Sequence, residues 1–152
     1  MSSQSSAPVK SDSLQILLVE DSPEDALLAR EALREAQIST ELHHVEDGDD
    51  AIAFVRRQDS YGDAPRPDLI ILDLNLPGKD GREVLEELKS DEELRRIPVV
   101  VLTTSESDGD VVRAYDHHAN AYVRKPIDLD RFIQIFRAIN DYWLGMVTLP
   151  PT

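Results

Sequence analysis

Four short apolar runs constrain this chain more than anything else in it, because each ends in polar residues at the point where the chain must turn. Ile16-Leu17-Leu18-Val19 runs into Glu20-Asp21, and Leu69-Ile70-Ile71-Leu72 into Asp73. Val99-Val100-Val101-Leu102 runs into Thr103-Thr104, and Tyr122-Val123 into Arg124-Lys125-Pro126. Runs of this length without polar alternation are what strands buried on both faces require, the condition of a parallel sheet covered by helices. Between them lie segments with helical signals. Ser22 can cap a helix with Pro23 at its first position and Glu24 and Asp25 in its first turn. That helix is expected to reach Ala36, with Ala26, Leu27, Ala29 and Leu33 among its apolar positions.

The remaining elements follow in alternation. Glu41–Val45 reads as a weaker strand, Gly48-Asp49-Asp50 as a turn and Ala51–Arg57 as a short helix containing Ile52 and Val55. Tyr61–Pro67 reads as a loop, Asp68–Asp73 as the third strand and Asp80–Ser90 as a helix carrying Val84, Leu85 and Leu88. Pro98–Thr103 is the fourth strand, Asp108–His117 a less regular helix and Ala121–Val123 a short fifth strand. Asp128 can cap a last helix on which Phe132, Ile133, Ile135, Phe136, Ile139 and Trp143 recur at helical spacing. Five strands alternating with five helices give an α/β fold with a doubly wound, five-stranded parallel sheet. Right-handed crossovers and the order 2-1-3-4-5 bring Glu20, Asp21 and Asp73 to the switch point between the first and third strands. Carboxylates, a hydroxyl and an ammonium around one crevice suit a divalent cation and a phosphoryl group.

Bulk properties narrow the function. The 152 residues suit one domain, burying roughly 68–70% of the unfolded surface. There is no cysteine, hence no disulfide frame or thiolate metal site; a reducing cytoplasm is the expected compartment. No apolar stretch approaches the ~20 residues of a membrane span, and Met1–Ser6 has no apolar core of a secretory signal. Thirty acidic against sixteen basic residues, a formal charge of −14, argue against direct binding of nucleic acid, whose phosphates need clustered Lys and Arg. The expected organisation is a disordered tail over 1–13, a domain over 14–141 and an extension over 142–152. His43-His44 and His117-His118 are adjacent pairs whose rings point apart, so they read as polar packing or surface rather than metal ligands.

The acidic pair Glu20-Asp21, the strand-end Asp73 in Leu-Asp-Leu-Asn75-Leu-Pro77, then Asp80-Gly81, Thr103 and Lys125-Pro126 stand in the order, and after the strands, of a known family. From about Leu14 to Asp141 the chain resembles a response-regulator receiver domain of bacterial two-component signalling, whose fold is flavodoxin-like. The resemblance implies that Asp73 is the phosphoacceptor, taking a phosphoryl group from a sensor histidine kinase, and that the chain is not an enzyme on external substrates. It implies Mg²⁺, with Mn²⁺ as a substitute, held by Glu20, Asp21, Asp73 and the backbone carbonyl of Asn75. It gives Lys125 the phosphoryl oxygens, Thr103 and Tyr122 the switch, Asn75 and Ser105 the tuning of phosphoryl lifetime, and Pro126 and Gly81 structural roles. Thr104 is bulkier than the small residue usual there, which implies slower phosphoryl exchange.

The stretch Pro77-Gly78-Lys79-Asp80-Gly81 and the C-terminal extension resemble the small stand-alone regulators that serve phytochrome-type kinases. Relatives of that kind form homodimers through an extended last helix or arm; here Trp143, Leu144, Met146 and Val147 are the interface candidates. A hydrolase with an aspartate nucleophile would place a second Asp two residues on, where this chain has Asn75, which cannot deliver a proton in that way. A flavin carrier would need a phosphate-binding loop where this chain has Glu20-Asp21-Ser22-Pro23-Glu24-Asp25. The competing expectation is a phosphorylation-independent interaction module on the same fold.

Overall fold

Continuous apolar strands can be buried only if both faces of their sheet are covered, and the structure, a computed structural model, has that arrangement. It describes residues 13–77, 79–103, 121–125 and 127–148, with the backbone alone over 142–148. The strands are β1 (Leu14–Val19), β2 (Thr40–Val45), β3 (Leu69–Asp73), β4 (Val99–Thr103) and β5 (Ala121–Arg124). The helices are α1 (Pro23–Ala36), α2 (Gly48–Arg56), α3 (Gly81–Ser90) and α4 (Leu129–Thr148), with single 3₁₀ turns at Asp59–Tyr61 and Leu94–Arg96. All pairings are parallel, in the order β2-β1-β3-β4-β5 expected from the sequence. The helix expected over Asp108–His117, the pair His117-His118, and Thr104, Ser105, Gly78 and Pro126 lie outside the described residues. So do residues 1–12 and the side chains of Trp143, Leu144, Met146 and Val147.

Successive strand residues point to opposite faces, so each apolar run divides between two cores. Leu17, Val19, Ile70, Leu72, Val99 and Val101 pack with Ile52 and Phe54 of α2 and Val84, Leu85 and Leu88 of α3. Ile16, Leu18, Leu69, Ile71, Val100 and Leu102 pack with Ala26, Ala29 and Leu33 of α1 and Phe132 and Phe136 of α4. The partly buried Ile133, Ile135 and Ile139 flank the second core. The two phenylalanines stack with ring centroids 5.8 Å apart.

Two local expectations change. Gly48-Asp49-Asp50 is not a separate turn but the first turn of α2. Asp47 is the N-cap, its Oδ1 accepting the Asp50 N–H at 2.8 Å, and the acidic residues that follow complement the positive end of the helix. Leu27 is not in the core: it is 68% exposed, because the buried stripe of α1 is made by Ala26, Ala29, Ala32 and Leu33. The expected caps at Ser22 and Asp128 form, with Ser22 Oγ accepting from Asp25 N at 3.2 Å and Asp128 Oδ1 from Arg131 N at 2.8 Å. The helices α1 and α2 each close on a left-handed residue, Gln37 at φ 57° and Arg57 at φ 55°. The last helix continues unbroken through Asp141 to Thr148. Among the described residues no helix is long and apolar enough to cross a membrane.

The start of α3 comes unusually close to the end of β3. A Cβ built on Gly81 would lie 2.5 Å from the Asp73 carbonyl oxygen and 2.6 Å from Leu74 Cα, both backbone atoms that cannot swing aside. Gly81→Ala is therefore expected to cost about 1–3 kcal/mol in urea unfolding, as overpacking does. An unchanged midpoint would show that the loop between β3 and α3 can shift at no cost.

Candidate functional site

The carboxyl ends of β1, β3, β4 and β5 meet at one edge of the sheet, and the polar residues that end each apolar run meet there too. Register sets this out: β1 and β3 pair from Ile16 with Leu69 to Val19 with Leu72, so Glu20 and Asp73 leave the sheet side by side. Asp73 pairs with Leu102 and Thr103 with Arg124, which brings in the hydroxyl and the lysine that follows. Glu20, Asp73 and Thr103 are the buried polar residues in a core otherwise apolar among the described residues, at 1%, 2% and 0% exposure.

Lys125 ties the cluster together. Its Nζ lies 2.6 Å from Glu20 Oε1, 3.0 Å from Asp73 Oδ2 and 3.0 Å from Asp25 Oδ2. Asp73 Oδ1 accepts the Asn75 N–H at 2.8 Å, and Glu20 Oε2 accepts the Ser22 N–H at 3.1 Å. The Thr103 hydroxyl donates to Asn75 Oδ1 at 3.4 Å, a long contact. Burial pushes the Glu20 carboxyl up to about 7, against the Lys125 hydrogen bond that pulls it down; the Asp73 charge adds to the rise. For Lys125 burial disfavours the ammonium, but the hydrogen bond to Glu20 and the charge of Asp73 outweigh it, and its pKa stands above the usual lysine range.

Glu20, Asp21 and Asp73 each offer a carboxylate oxygen, all within 4.8 Å of one another, and they form the group that can hold a metal ion among the described residues. Three hard oxygen donors of one sign, with one donor residue exposed, suit a divalent cation that keeps some of its waters. The donor set therefore fits the ion that the sequence implies. Tyr122 is half-buried and packs at the edge of the α2–α3 core. The two histidines of β2 behave as polar packing. His43 Nε2 contacts Gln15 Oε1 at 2.8 Å with its ring against Phe54, and His44 Nε2 contacts the Glu20 carbonyl oxygen at 2.7 Å.

Sequence reasoning did not assign a site role to Asp25 or to His44. A weak signal existed for Asp25, which stands three residues after the cap Ser22, a spacing read there only as helix-start chemistry. A cleft of about 560 Å³ lies elsewhere, lined by Arg56, Arg57, Arg66, Asp91 and Glu93. Two of its cations have partners there, Arg56 on Glu87 and Asp91 and Arg66 on the Glu93 carbonyl. The chemistry belongs with the carboxylates.

The chain is similar to known proteins over most of its length. The family described as "Response regulator receiver domain" matches residues 16–137. The chain is 50% identical over 135 residues to "Response regulator Rcp1" of Synechocystis sp., covering 89% of this chain and 92% of that one. It is similar to the crystal structure of the phosphorylated cyanobacterial phytochrome response regulator RcpA, with TM-score 0.80, 48% identity, and coverage of 91% of this chain and 99% of that one. It is also similar to the Mn²⁺-bound form of Rcp1, with TM-score 0.78 at the same identity and coverage.

A divalent ion favours the ionised form of each carboxyl it touches, so binding displaces any proton held there. Because the free Glu20 carboxyl titrates near 7, affinity for a divalent ion is expected to rise with pH up to about 7 and level off above it. Calorimetric titration with a divalent salt on either side of that value measures this. An affinity independent of pH would mean that Glu20 is ionised throughout.

Proposed function

The chain belongs to the response regulator receiver domain family, and from that premise we propose that it is a single-domain response regulator whose Asp73 takes a phosphoryl group from a phytochrome-type sensor histidine kinase. The observation that carries the reading is the meeting of Asp73, Glu20, Asp21, Thr103 and Lys125 at one sheet edge. Two of the similar proteins, RcpA and Rcp1, support the choice of kinase, the first being named as a phytochrome response regulator.

In the transfer, an oxygen of the Asp73 carboxylate attacks phosphorus. The new P–O bond forms as the P–N bond to the kinase histidine breaks, and the electron pair of that bond returns to the imidazole, which takes up a proton. The Asn75 N–H fixes Oδ1 of the nucleophile. Lys125, now on Asp73 Oδ2, moves to the phosphoryl oxygens as a point charge. Thr103 turns its hydroxyl from Asn75 to the phosphoryl group, and Tyr122 fills the space that is left. Glu20, Asp21, Asp73 and the Asn75 carbonyl would hold Mg²⁺, or Mn²⁺ in its place. When bound, the ion neutralises the clustered carboxylates and stabilises charge on the transferring group. Ser105 and Pro126 take the roles the family gives them, tuning lifetime and fixing the turn after Lys125.

The output is a conformational population, not a product. Near-complete switching from 1:99 to 99:1 needs about 5.5 kcal/mol of differential stabilisation. The chain is then a phosphoacceptor that assists its own phosphorylation and dephosphorylation, working in the cytoplasm. The continuation of α4 to Thr148 supports a homodimer through Trp143, Leu144, Met146 and Val147.

Two measurements test this. Incubation with Mg²⁺ and acetyl phosphate is expected to add one phosphoryl group in intact mass spectrometry, lost on chelation and absent in Asp73→Asn. If no group is added from acetyl phosphate or from phytochrome-type kinases, the site serves a phosphorylation-independent interaction module instead. Truncation after Asp141 is expected to convert a dimer to a monomer in light scattering; an unchanged solution mass would remove the C-terminal segment from the interface.

A further inference from the structure

Three of the described helices carry an acidic residue three positions after the cap, and they use it differently. The pattern Asp80-x-x-Glu83 at α3 forms a complete capping box: Asp80 Oδ1 accepts from the first turn, and Glu83 Oε1 accepts the Asp80 N–H at 3.1 Å. The pattern Ser22-x-x-Asp25 at α1 forms half of one. Ser22 Oγ accepts the Asp25 N–H at 3.2 Å, but the Ser22 N–H goes to Glu20 Oε2, and the Asp25 carboxylate turns to Lys125 Nζ at 3.0 Å.

This arrangement gives Lys125 three carboxylates of different standing. The side chains of Glu20 and Asp73 are 1% and 3% exposed, and both belong to the trio that can hold a cation. Asp25 is 36% exposed at the mouth of the site and stands outside that trio. A divalent ion drawn to Glu20 and Asp73 competes with the ammonium for the same oxygens. Lys125, only 9% exposed, would be left as an unpaired, partly buried charge beside a dication if no other carboxylate were in reach.

We propose that Asp25 is a positioning residue for Lys125. It receives the ammonium when a divalent cation takes over Glu20 and Asp73, and releases it to the oxygens of the incoming phosphoryl group. The proposal rests on the receiver reading above and adds to it a residue that neither accepts the phosphoryl group nor binds the ion. Asp25 can do this because its backbone is fixed by the Ser22 hydroxyl in the first turn of α1, while its side chain is free of the capping box.

The test compares Asp25→Asn, Asp25→Glu and Glu24→Gln in the full chain. The last removes the same charge from the same helical turn, from an exposed residue. The first readout is the calorimetric affinity for Mg²⁺ alone. The second is the affinity for beryllofluoride, a phosphoryl mimic, at saturating Mg²⁺. Asp25→Asn is expected to weaken Mg²⁺ about two- to fivefold, the range of a part-exposed ion pair, without weakening beryllofluoride. Asp25→Glu should recover much of the Mg²⁺ affinity, and Glu24→Gln should change both ligands little. In ¹⁵N-lysine spectra the Lys125 ammonium of the wild type should keep a carboxylate-bound shift through the Mg²⁺ titration and lose it in Asp25→Asn. Parallel loss of both ligands in Asp25→Asn would overturn the hand-over, as would equal behaviour of Asp25→Asn and Glu24→Gln. A wild type that binds Mg²⁺ but neither beryllofluoride nor a phosphoryl group would instead overturn the receiver reading.

Discussion

Glu20 and Asp73 leave the sheet side by side, nearly sealed from water, and one ammonium touches both. Burying two carboxylates a few ångströms apart is tolerable only with a counter-charge and a full set of hydrogen bonds. Here the Ser22 and Asn75 N–H groups and Lys125 supply them. Each comes from a different loop at the same edge of the sheet, so the whole crossover pattern is needed to bring the set together. The order β2-β1-β3-β4-β5 places β1 beside β3, opens the crevice between their ends, and puts β5 close enough for Lys125 to reach across.

The counter-charge is incomplete. Three carboxyl groups, Glu20, Asp25 and Asp73, hold one ammonium, and a fourth, Asp21, brings its oxygen within 4.8 Å of Glu20 and Asp73. That deficit makes the site responsive, since a cation or a change in the charge of Asp73 redistributes the same few contacts. Burial, with the Asp73 charge added to it, raises the Glu20 carboxyl toward neutrality. Thr103 is fully buried with its hydroxyl on the Asn75 side chain, and Asn75 in turn binds Asp73. Any new group on Asp73 must therefore compete with or rearrange a bond chain that ends on β4. Close-packed surroundings turn such a rearrangement into one of a few discrete packings rather than a graded one.

The strands and their order could be read from the chain because the same residues carry two signals at once. A run such as Leu69–Leu72 has to be buried on both faces, and the Asp73 that ends it has to be where the chain emerges. The site residues were legible for the same reason: Glu20, Asp73 and Thr103 sit immediately after an apolar run, and Lys125 one residue beyond another. Helix limits were less so. The start of α2 depends on the Asp47 side chain folding back to Asp50 N, and a Gly-Asp-Asp sequence is equally good turn chemistry when read alone. Leu27 fits a helical apolar stripe by identity, but the buried stripe of α1 runs through Ala26, Ala29, Ala32 and Leu33, and Leu27 is left outside.

Asp25 shows where local reading stops. Its spacing from Ser22 matches that of Glu83 from Asp80, and local rules alone give both helices the same capping box. What separates them is nonlocal. At α1 the cap's N–H is taken by a carboxylate two residues upstream, and the carboxylate that would have closed the box meets a lysine one hundred positions later in the chain. At α3 Glu83 accepts the Asp80 N–H and the box closes. α2 also leaves its box half formed, at Asp47 and Asp50, so an open box alone does not mark a site; at α1 the contact of the Asp25 carboxylate with Lys125 shows that another requirement prevails. Here the requirement is the charge of Lys125, and the half-formed cap of α1 is the trace it leaves in the backbone.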